Sequence, residues 1–303
     1  MAGGYPRDLT LQKFSLASDT NGVDVGDLIN PGLHNRNSTA TSSPSEGFIS
    51  GGLAYPAANT GSGPYSTTDI NVIQKFPFAS DTNITDAGDL VRTTVGSNGL
   101  SARTNGISFQ FDVEYPYPQT QISKFPFATV SSSASSSAVL NAKGQKMGSV
   151  SITHGYTMGG KQVPPAGDNA IEKFNFSTEA DATDVGDLLY VTYGGGGTQS
   201  ETHGFGFAGT QPSPYARYNN INKFAFASDG NATDVGDLTV ARQSGLHGAN
   251  NSTHGYAAGG DFDAFPYYSN VIDKFAFASD GNATDVGDMY AGKDDLSKGQ
   301  LQV

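Results

Sequence analysis

Acidic side chains recur in a short segment of this chain, and their oxygen atoms could bind a metal ion. The clearest copy is Ser-Asp-Gly-Asn-Ala-Thr-Asp-Val-Gly-Asp at residues 228–237, which supplies the candidate ligands Asp229, Asn231, Asp234 and Asp237. Carboxylate and amide oxygens are the ligands that Ca²⁺ prefers. The spacing differs from that of an EF-hand loop and no glutamate closes it, so turns capped by Asp and Asn side chains are the alternative interpretation. Calcium is the one cofactor that we consider.

Histidine occupies a second repeated position, each time within the tripeptide Thr-His-Gly: His154, His203 and His254. Imidazoles at equivalent positions could converge on a metal ion. Other copies of the repeat carry no histidine there, which favours repeated structural hydrogen bonding over a metal site.

Both motifs belong to a unit of about fifty residues that recurs along the whole chain. Its Lys-Phe core begins at residues 13, 75, 124, 173, 223 and 274. In the best-preserved copy, residues 271–278 alternate with a period of two, which predicts a β-strand, and the acidic segment that follows predicts a turn. Since repeats of this length stack to bury their apolar faces, we predict that residues 1–303 form a single all-β domain.

Composition supports many short strands joined by tight turns, because the chain has 39 glycines, 14 prolines, 18 phenylalanines and 14 tyrosines. We predict a six-bladed β-propeller with blades of about four antiparallel strands. Residues 1–5 and 296–303 are expected to pair and close the ring, which leaves no open sheet edge. A fragment of a longer repeat array is the alternative. The third unit should differ at its outer edge, because Ser131–Ser137 replaces the acidic turn.

The order of these segments resembles a kelch repeat, in which a double glycine closes the second strand of each blade. Glycine pairs occur at residues 3–4, 51–52, 159–160 and 259–260, and each precedes a strand of the Asn-Val-Ile-Asp-Lys-Phe kind. Kelch blades usually carry a tryptophan in the last strand, and this chain has none. The resemblance implies a propeller in which the phenylalanine pairs supply the missing bulk.

Catalytic motifs are scarce. The chain has no cysteine, which excludes disulfides, thiolate metal sites and the cysteine–tyrosine cross-link of the copper radical oxidases that use kelch propellers. The sequence contains no zinc-protease motif and no nucleophile elbow. A sialidase-like site would require arginines that recur at one repeat position, and those of this chain do not. We therefore predict a non-catalytic protein, with a sialidase-like glycan-processing enzyme as the alternative.

Loops that follow the glycine pairs vary between units and are rich in proline and tyrosine, as expected of a binding surface on a rigid scaffold. The candidate ligand-binding residues are Tyr55, Tyr115, Tyr117, Tyr215, Tyr267 and Tyr268. Tyrosine rings stack on sugars, and nearby carboxylates accept hydrogen bonds from hydroxyl groups. A protein partner would suit the same surface. The alternative is that these rings pack between blades.

A formal net charge of −12 repels phosphate backbones and anionic lipids, so we expect no nucleic-acid partner. No apolar run approaches the roughly 18 residues of a membrane span, and the N-terminus lacks the pattern of a Sec signal peptide.

The repeated Lys-Phe-Ala-Phe-Ala-Ser-Asp-Gly-Asn-Ala-Thr-Asp-Val-Gly-Asp phrase is similar to repeat proteins encoded by marine bacteriophages. This resemblance implies a virion or tail-associated protein that is extracellular after lysis. Its partner would be a host surface glycan or a neighbouring virion protein. A purely structural or engineered repeat scaffold is the alternative.

Overall fold

The computed structural model describes residues 9–29, 33–36, 38–56, 68–91, 93, 98–111, 120–130, 134–136, 144–162, 166–178, 180–244, 246–262, 267–292 and 299–300. All regular secondary structure in these ranges is β-strand. None of the described residues lies in a helix that could span a bilayer.

Six sheets, named A to F in chain order, contain these strands. Sheet A pairs β1 (Thr10–Lys13) with β2 (Val23–Asp27). Sheet B contains β3 (Leu33–Arg36), β4 (Thr39–Ser42), β5 (Glu46–Pro56), β6 (Thr68–Pro77) and β7 (Thr85–Asp89). Sheet C contains β8 (Gly99–Ser101), β9 (Asn105–Phe111), β10 (Thr120–Pro126) and β11 (Ala134–Ser136), together with β24 (Gly299–Gln300).

The last three sheets are the most regular, each with four strands in chain order. Sheet D contains β12 (Met147–Val150), β13 (His154–Gln162), β14 (Ala166–Asn175) and β15 (Thr183–Asp187). Sheet E contains β16 (Gly196–Gln199), β17 (His203–Pro212), β18 (Tyr215–Ala225) and β19 (Thr233–Asp237). Sheet F contains β20 (His247–Asn250), β21 (His254–Ala258), β22 (Val271–Ala276) and β23 (Thr284–Asp288).

The architecture is an all-β propeller, in which sheets B to F are blades built on four antiparallel strands. The predicted blade design is therefore confirmed, but five blades are found and not six. The difference lies in the first repeat unit, whose described residues supply only the two strands of sheet A; residues 1–5, which were predicted to supply one strand of the closing blade, lie outside the described ranges.

The predicted pairing of residues 1–5 with residues 296–303 involves residues outside the described ranges, and no closed ring is found in the part of the chain that the structure describes. Among the described residues, β24 lies parallel to β8, with Gly299 opposite Gly99 and Gln300 opposite Leu100. It also contacts β4, β12 and β20, the innermost strands of sheets B, D and F. The strand β24 is therefore part of sheet C.

Glycine pairs act differently from the kelch-based expectation. In sheets B and D they form a β-bulge inside the second strand, which continues beyond them, and only in sheet F do they follow its end. Gly159 has φ +63°, and a Cβ there would lie 2.4 Å from the carbonyl oxygen of Thr192. The Gly160 amide donates to that same oxygen over 2.9 Å. The bulge thus forms a hydrogen bond with the segment that connects β15 to the next sheet.

Aromatic and aliphatic side chains between adjacent sheets form the core, as the stacking argument predicted. Phe205 of sheet E, for example, packs against Phe275 and Phe277 of sheet F. Two residues before the conserved lysine, five units carry a buried isoleucine and the first unit carries the buried Leu11; the isoleucines are Ile73, Ile122, Ile171, Ile221 and Ile272. Sheet C differs at its outer edge, where the short β11 takes the place of a Thr-Asp-x-Gly-Asp strand.

Candidate functional site

The acidic turn of residues 228–237 contacts the preceding sheet. Asp229 Oδ1 forms an ion pair with Lys173 Nζ at 2.9 Å, and Asn231 Oδ1 accepts a 3.1 Å hydrogen bond from the Asp187 amide. Asp234 Oδ1 accepts a local hydrogen bond from the Gly236 amide over 3.1 Å. The turn therefore joins sheet E to sheet D.

Four sheet junctions repeat this arrangement: A with B, D with E, E with F, and F with A. The ion pairs are Lys13–Asp81, Lys173–Asp229, Lys223–Asp280 and Lys274–Asp19, with nitrogen–oxygen distances of 2.5, 2.9, 2.7 and 2.8 Å. The amide-to-asparagine hydrogen bonds are Asp27 to Asn83, Asp187 to Asn231, Asp237 to Asn282 and Asp288 to Asn21. Hydrogen bonding to Asp229 raises the pKa of Lys173, which keeps that lysine charged.

A third contact at each of these junctions comes from the buried polar residue before the lysine. Its side-chain oxygen accepts a hydrogen bond from an amide of the preceding sheet, as in Ile29 to Gln74, Leu189 to Asn222, Thr239 to Asp273 and Tyr290 to Gln12. Burying such a polar group is tolerated because it is hydrogen-bonded. Each junction thus combines an exposed ion pair, a backbone cap and a buried cap.

Calcium binding at the acidic turn stays a prediction. The contacts above give the oxygens of Asp229, Asn231 and Asp234 protein partners, so a cation there would compete with Lys173 and two backbone amides. Within the described ranges, no three His, Asp or Glu side chains group as they would around a metal.

The repeated histidines lie at the same end of the sheets as the acidic turns. The Nδ1 atoms of His154, His203 and His254 are each 2.8 Å from the hydroxyl of the preceding threonine, which agrees with the structural interpretation. Burial lowers the pKa of His154, and the Lys173 charge adds to the effect. Burial and Lys223 lower the pKa of His203 in the same way.

Tyrosines gather at the opposite end of the sheets, around the hairpin between β17 and β18. Tyr215 and Tyr267 are 54% and 53% exposed. The Tyr215 hydroxyl accepts a 3.1 Å hydrogen bond from Gln243, and the Arg217 guanidinium lies 5.9 Å from the centre of the Tyr215 ring. Arg217 also pairs with Asp261 at 3.5 Å. The exposed Tyr215 ring is thereby held beside a largely buried ion pair.

The loop of sheet F completes this tyrosine surface, which we define as Tyr215, Arg217, Gln243, Asp261, Tyr267 and Tyr268. Asp261 forms isolated β-bridges with both Gln243 and Tyr268. The Phe262 amide donates a 2.7 Å hydrogen bond to the carbonyl oxygen of Tyr267. Three of the six predicted tyrosines are thus brought together.

The other three predicted tyrosines are not among the residues that define the tyrosine surface. Tyr115 and Tyr117 lie outside the described residues. Tyr55 lies on β5, where its backbone is paired with that of His34, and nothing is described of its side chain. Their binding role stays a prediction.

No protein-family model and no curated protein matches the sequence. The fold is similar to that of YjhT, with a TM-score of 0.67 and 10% sequence identity over 88% of this chain and 87% of that chain. The chain has a β-propeller fold. At such low identity the similarity supports the fold alone.

Arg242 is fully buried and acts within the scaffold. Its guanidinium donates to the carbonyl oxygens of Gly259 and Val271 over 3.1 and 3.0 Å, and it forms a buried ion pair with Asp273. Arg242 is one of the arginines that a sialidase-like site could have used, and its burial removes it from any exposed surface. Only its repeat position, which no other arginine shares, distinguished it in the sequence.

The junction contacts were the main feature that sequence reasoning missed. The available signal was a correlation between successive units, in which the lysine of one unit is followed by an aspartate in the acidic turn of the next unit. Lys75 precedes the unit that lacks the acidic turn, and it pairs with Glu46 of its own sheet at 3.1 Å instead. Where the following unit has no aspartate at this position, the lysine finds another partner.

Proposed function

We propose that this protein is a non-catalytic binding module that recognises a glycan through the tyrosine surface. The observation that carries the proposal is the pair of half-exposed rings, Tyr215 and Tyr267, beside the Arg217–Asp261 ion pair. A sugar places its C–H groups on an aromatic face while its hydroxyl groups bond to charged and amide side chains. Tyr215, Asp261 and Gln243 supply both kinds of contact.

Positioning favours recognition because the rings are fixed before a ligand arrives. Tyr215 is held by Gln243 and lies beside Arg217, and the Tyr267 backbone is bonded to Phe262. A pre-organised surface loses less conformational entropy on binding than a mobile loop does.

The finer features of the proposal rest on sequence resemblance. We propose that the blades are kelch-like and that the protein is virion or tail-associated, with a host surface glycan as its ligand. The similarity of the acidic phrase to marine bacteriophage repeat proteins supports this setting. The same surface also suits a neighbouring virion protein, which is the second candidate partner.

Glycan-array binding of the purified protein, with calcium and again with chelator, tests the proposal. We expect saturable binding that Tyr215→Ala and Tyr267→Ala each weaken at least tenfold. Ile152→Ala is the control, since Ile152 is 69% exposed at the other end of the sheets. Loss of binding in chelator would assign the acidic turns to calcium. Absence of glycan binding under both conditions would contradict the proposal and favour the protein partner.

A further inference from the structure

Three junctions of the propeller contain the same stack of two aromatic rings. Phe127 stacks on Phe48, Phe226 on Tyr156, and Phe277 on Phe205, with centroid distances of 5.0, 4.9 and 5.0 Å and interplanar angles of 21°, 24° and 21°. In each pair the first ring follows the Lys-Phe core of one sheet, and the second lies on the second strand of the preceding sheet.

Phe78 occupies the same repeat position as Phe127, Phe226 and Phe277, three residues after the conserved lysine. Among the described residues the one aromatic ring near it is that of Phe76, edge-on at a centroid distance of 5.8 Å, and no second ring stacks on it. Phe78 is consequently 50% exposed, whereas Phe127 is 8% exposed. The stack is incomplete at the junction of sheets A and B.

A cavity of about 320 Å³ lies at this junction. At the three junctions described above, the corresponding place holds the stacking ring of the preceding sheet. Phe76 and Phe78 line one side, Phe14 and Leu16 of the first unit another, and Ala249 of β20 also contributes. These side chains are predominantly apolar. The cavity therefore has the lining, as well as the position, of an aromatic-ring site.

The equivalent sheets show what kind of segment fits. Phe48, Tyr156 and Phe205 each follow a glycine directly: Gly47, Gly155 and Gly204. A Cβ on any of these glycines would lie 2.3 Å from the phenylalanine ring of its own sheet. In sheet A the corresponding phenylalanine is Phe14, which lines the cavity. A fitting segment thus has a glycine over Phe14 followed by an aromatic residue.

We propose that this cavity is a docking site for an extended segment of a neighbouring polypeptide that carries a glycine followed by an aromatic residue. The aromatic ring stacks on Phe78, and the glycine passes over Phe14. Tyr5 of this chain is a poor match, because it follows the glycine pair of its unit whereas the stacking rings precede theirs. The site goes beyond the tyrosine surface and uses none of its residues.

The test uses the full chain and a fluorescein-labelled peptide with the sequence of residues 202–210, Thr-His-Gly-Phe-Gly-Phe-Ala-Gly-Thr. We expect a saturable rise in anisotropy. A peptide with Phe205→Ala, a peptide with Gly204→Val and the protein variant Phe78→Ala should each weaken binding at least tenfold. Phe78 is half-exposed, so Phe78→Ala should retain its fold, which its thermal unfolding checks. Ile152→Ala should bind as the unaltered protein does.

Two kinds of result would overturn the proposal. One is the absence of saturable binding to the unaltered protein, or equal binding by Phe78→Ala. The other is binding by Tyr5→Ala alone, which would show that Tyr5 of this chain occupies the cavity. Because glycan binding relies on different residues, neither result bears on the proposed function.

Discussion

Asp19 and Lys274 lie 255 residues apart in the sequence and form an ion pair with a 2.8 Å distance between Oδ1 and Nζ. The same contact joins sheets D and E and sheets E and F. Sheet A, with only two strands, therefore meets sheet F through the contacts that complete blades use. It meets sheet B in the same way, through Lys13 and Asp81.

Gly186→Ala should destabilise the protein far more than Gly230→Ala. The two glycines have almost equal φ values, +155° and +158°, so the backbone strain of an added Cβ is matched. A Cβ at Gly186 would lie 2.2 Å from the Gly230 carbonyl oxygen, whereas nothing lies within 4 Å of one at Gly230. We expect losses of about 3 and about 1 kcal/mol in denaturant unfolding. Equal losses would show that the junction yields to the added methyl group.

Asn21→Ala should lower stability by about 1 kcal/mol, because it removes the cap on the Asp288 amide. Asp19→Asn affects an exposed ion pair at the same junction and should lower stability less than Asn21→Ala does. Unfolding in low and high salt separates the two contacts. Salt should reduce the effect of Asp19→Asn and leave that of Asn21→Ala in place; a salt-sensitive Asn21 effect would contradict this assignment.

Arg242 and Asp273 should show strong coupling in a double-mutant cycle. Both side chains are fully buried, so removing either one leaves a buried charge without its ionic partner. Arg242→Met and Asp273→Leu should each lower stability by about 3–5 kcal/mol. The double variant should lose much less than the sum, as measured by denaturant unfolding. Additive losses would mean that the remaining hydrogen bonds of Arg242, and not the ion pair, dominate.

His154 and His203 should make stability fall as the solution is acidified. Their folded-state pKa values lie below the ordinary value of 6.5, because burial disfavours the charged ring. The unfolded chain therefore binds more protons, and the contribution is present above pH 6.5 and lost as pH falls through the folded-state pKa. The double variant His154→Gln/His203→Gln should show a shallower loss of stability between about pH 7 and 5. An unchanged slope would assign the acid sensitivity to other groups.

Sequence reasoning reached the all-β propeller with four-stranded blades because the period-two strands and the repeat length are local signals. The alternation in Val271–Ala278 and the turn after it were visible without any partner. The number of complete blades was wrong, because the repeat count includes a first unit that contributes only β1 and β2 to the described structure. A repeated core counts one unit, whereas a complete blade also needs the two strands that precede that core.

The site could be predicted only in part. The clustering of Tyr215, Tyr267 and Tyr268 follows from their common place after the glycine pair. The role of the acidic turn did not follow, because Asp229 and its partner Lys173 belong to different units and their distance depends on how the sheets stack. Phe78 could not be distinguished either, since its sequence context matches that of the partly buried Phe226 and only the neighbouring sheet separates them.

Sheet C differs from the other blades in its border contacts, and this difference distinguishes its junctions from all the others. At four junctions the contacts are interchangeable, so a blade such as sheet E could follow sheet D or replace it with the same bonds. At the borders of sheet C, Lys75 turns to Glu46 of its own sheet, and Lys124 donates to the carbonyl oxygen of Phe176. If all junctions were identical, sheets that are not neighbours in the chain could pair through the same contacts at nearly equal energy. Because sheet C offers different contacts at its borders, wrong pairings that involve it lose these contacts. One dissimilar blade therefore helps to define which sheets become neighbours.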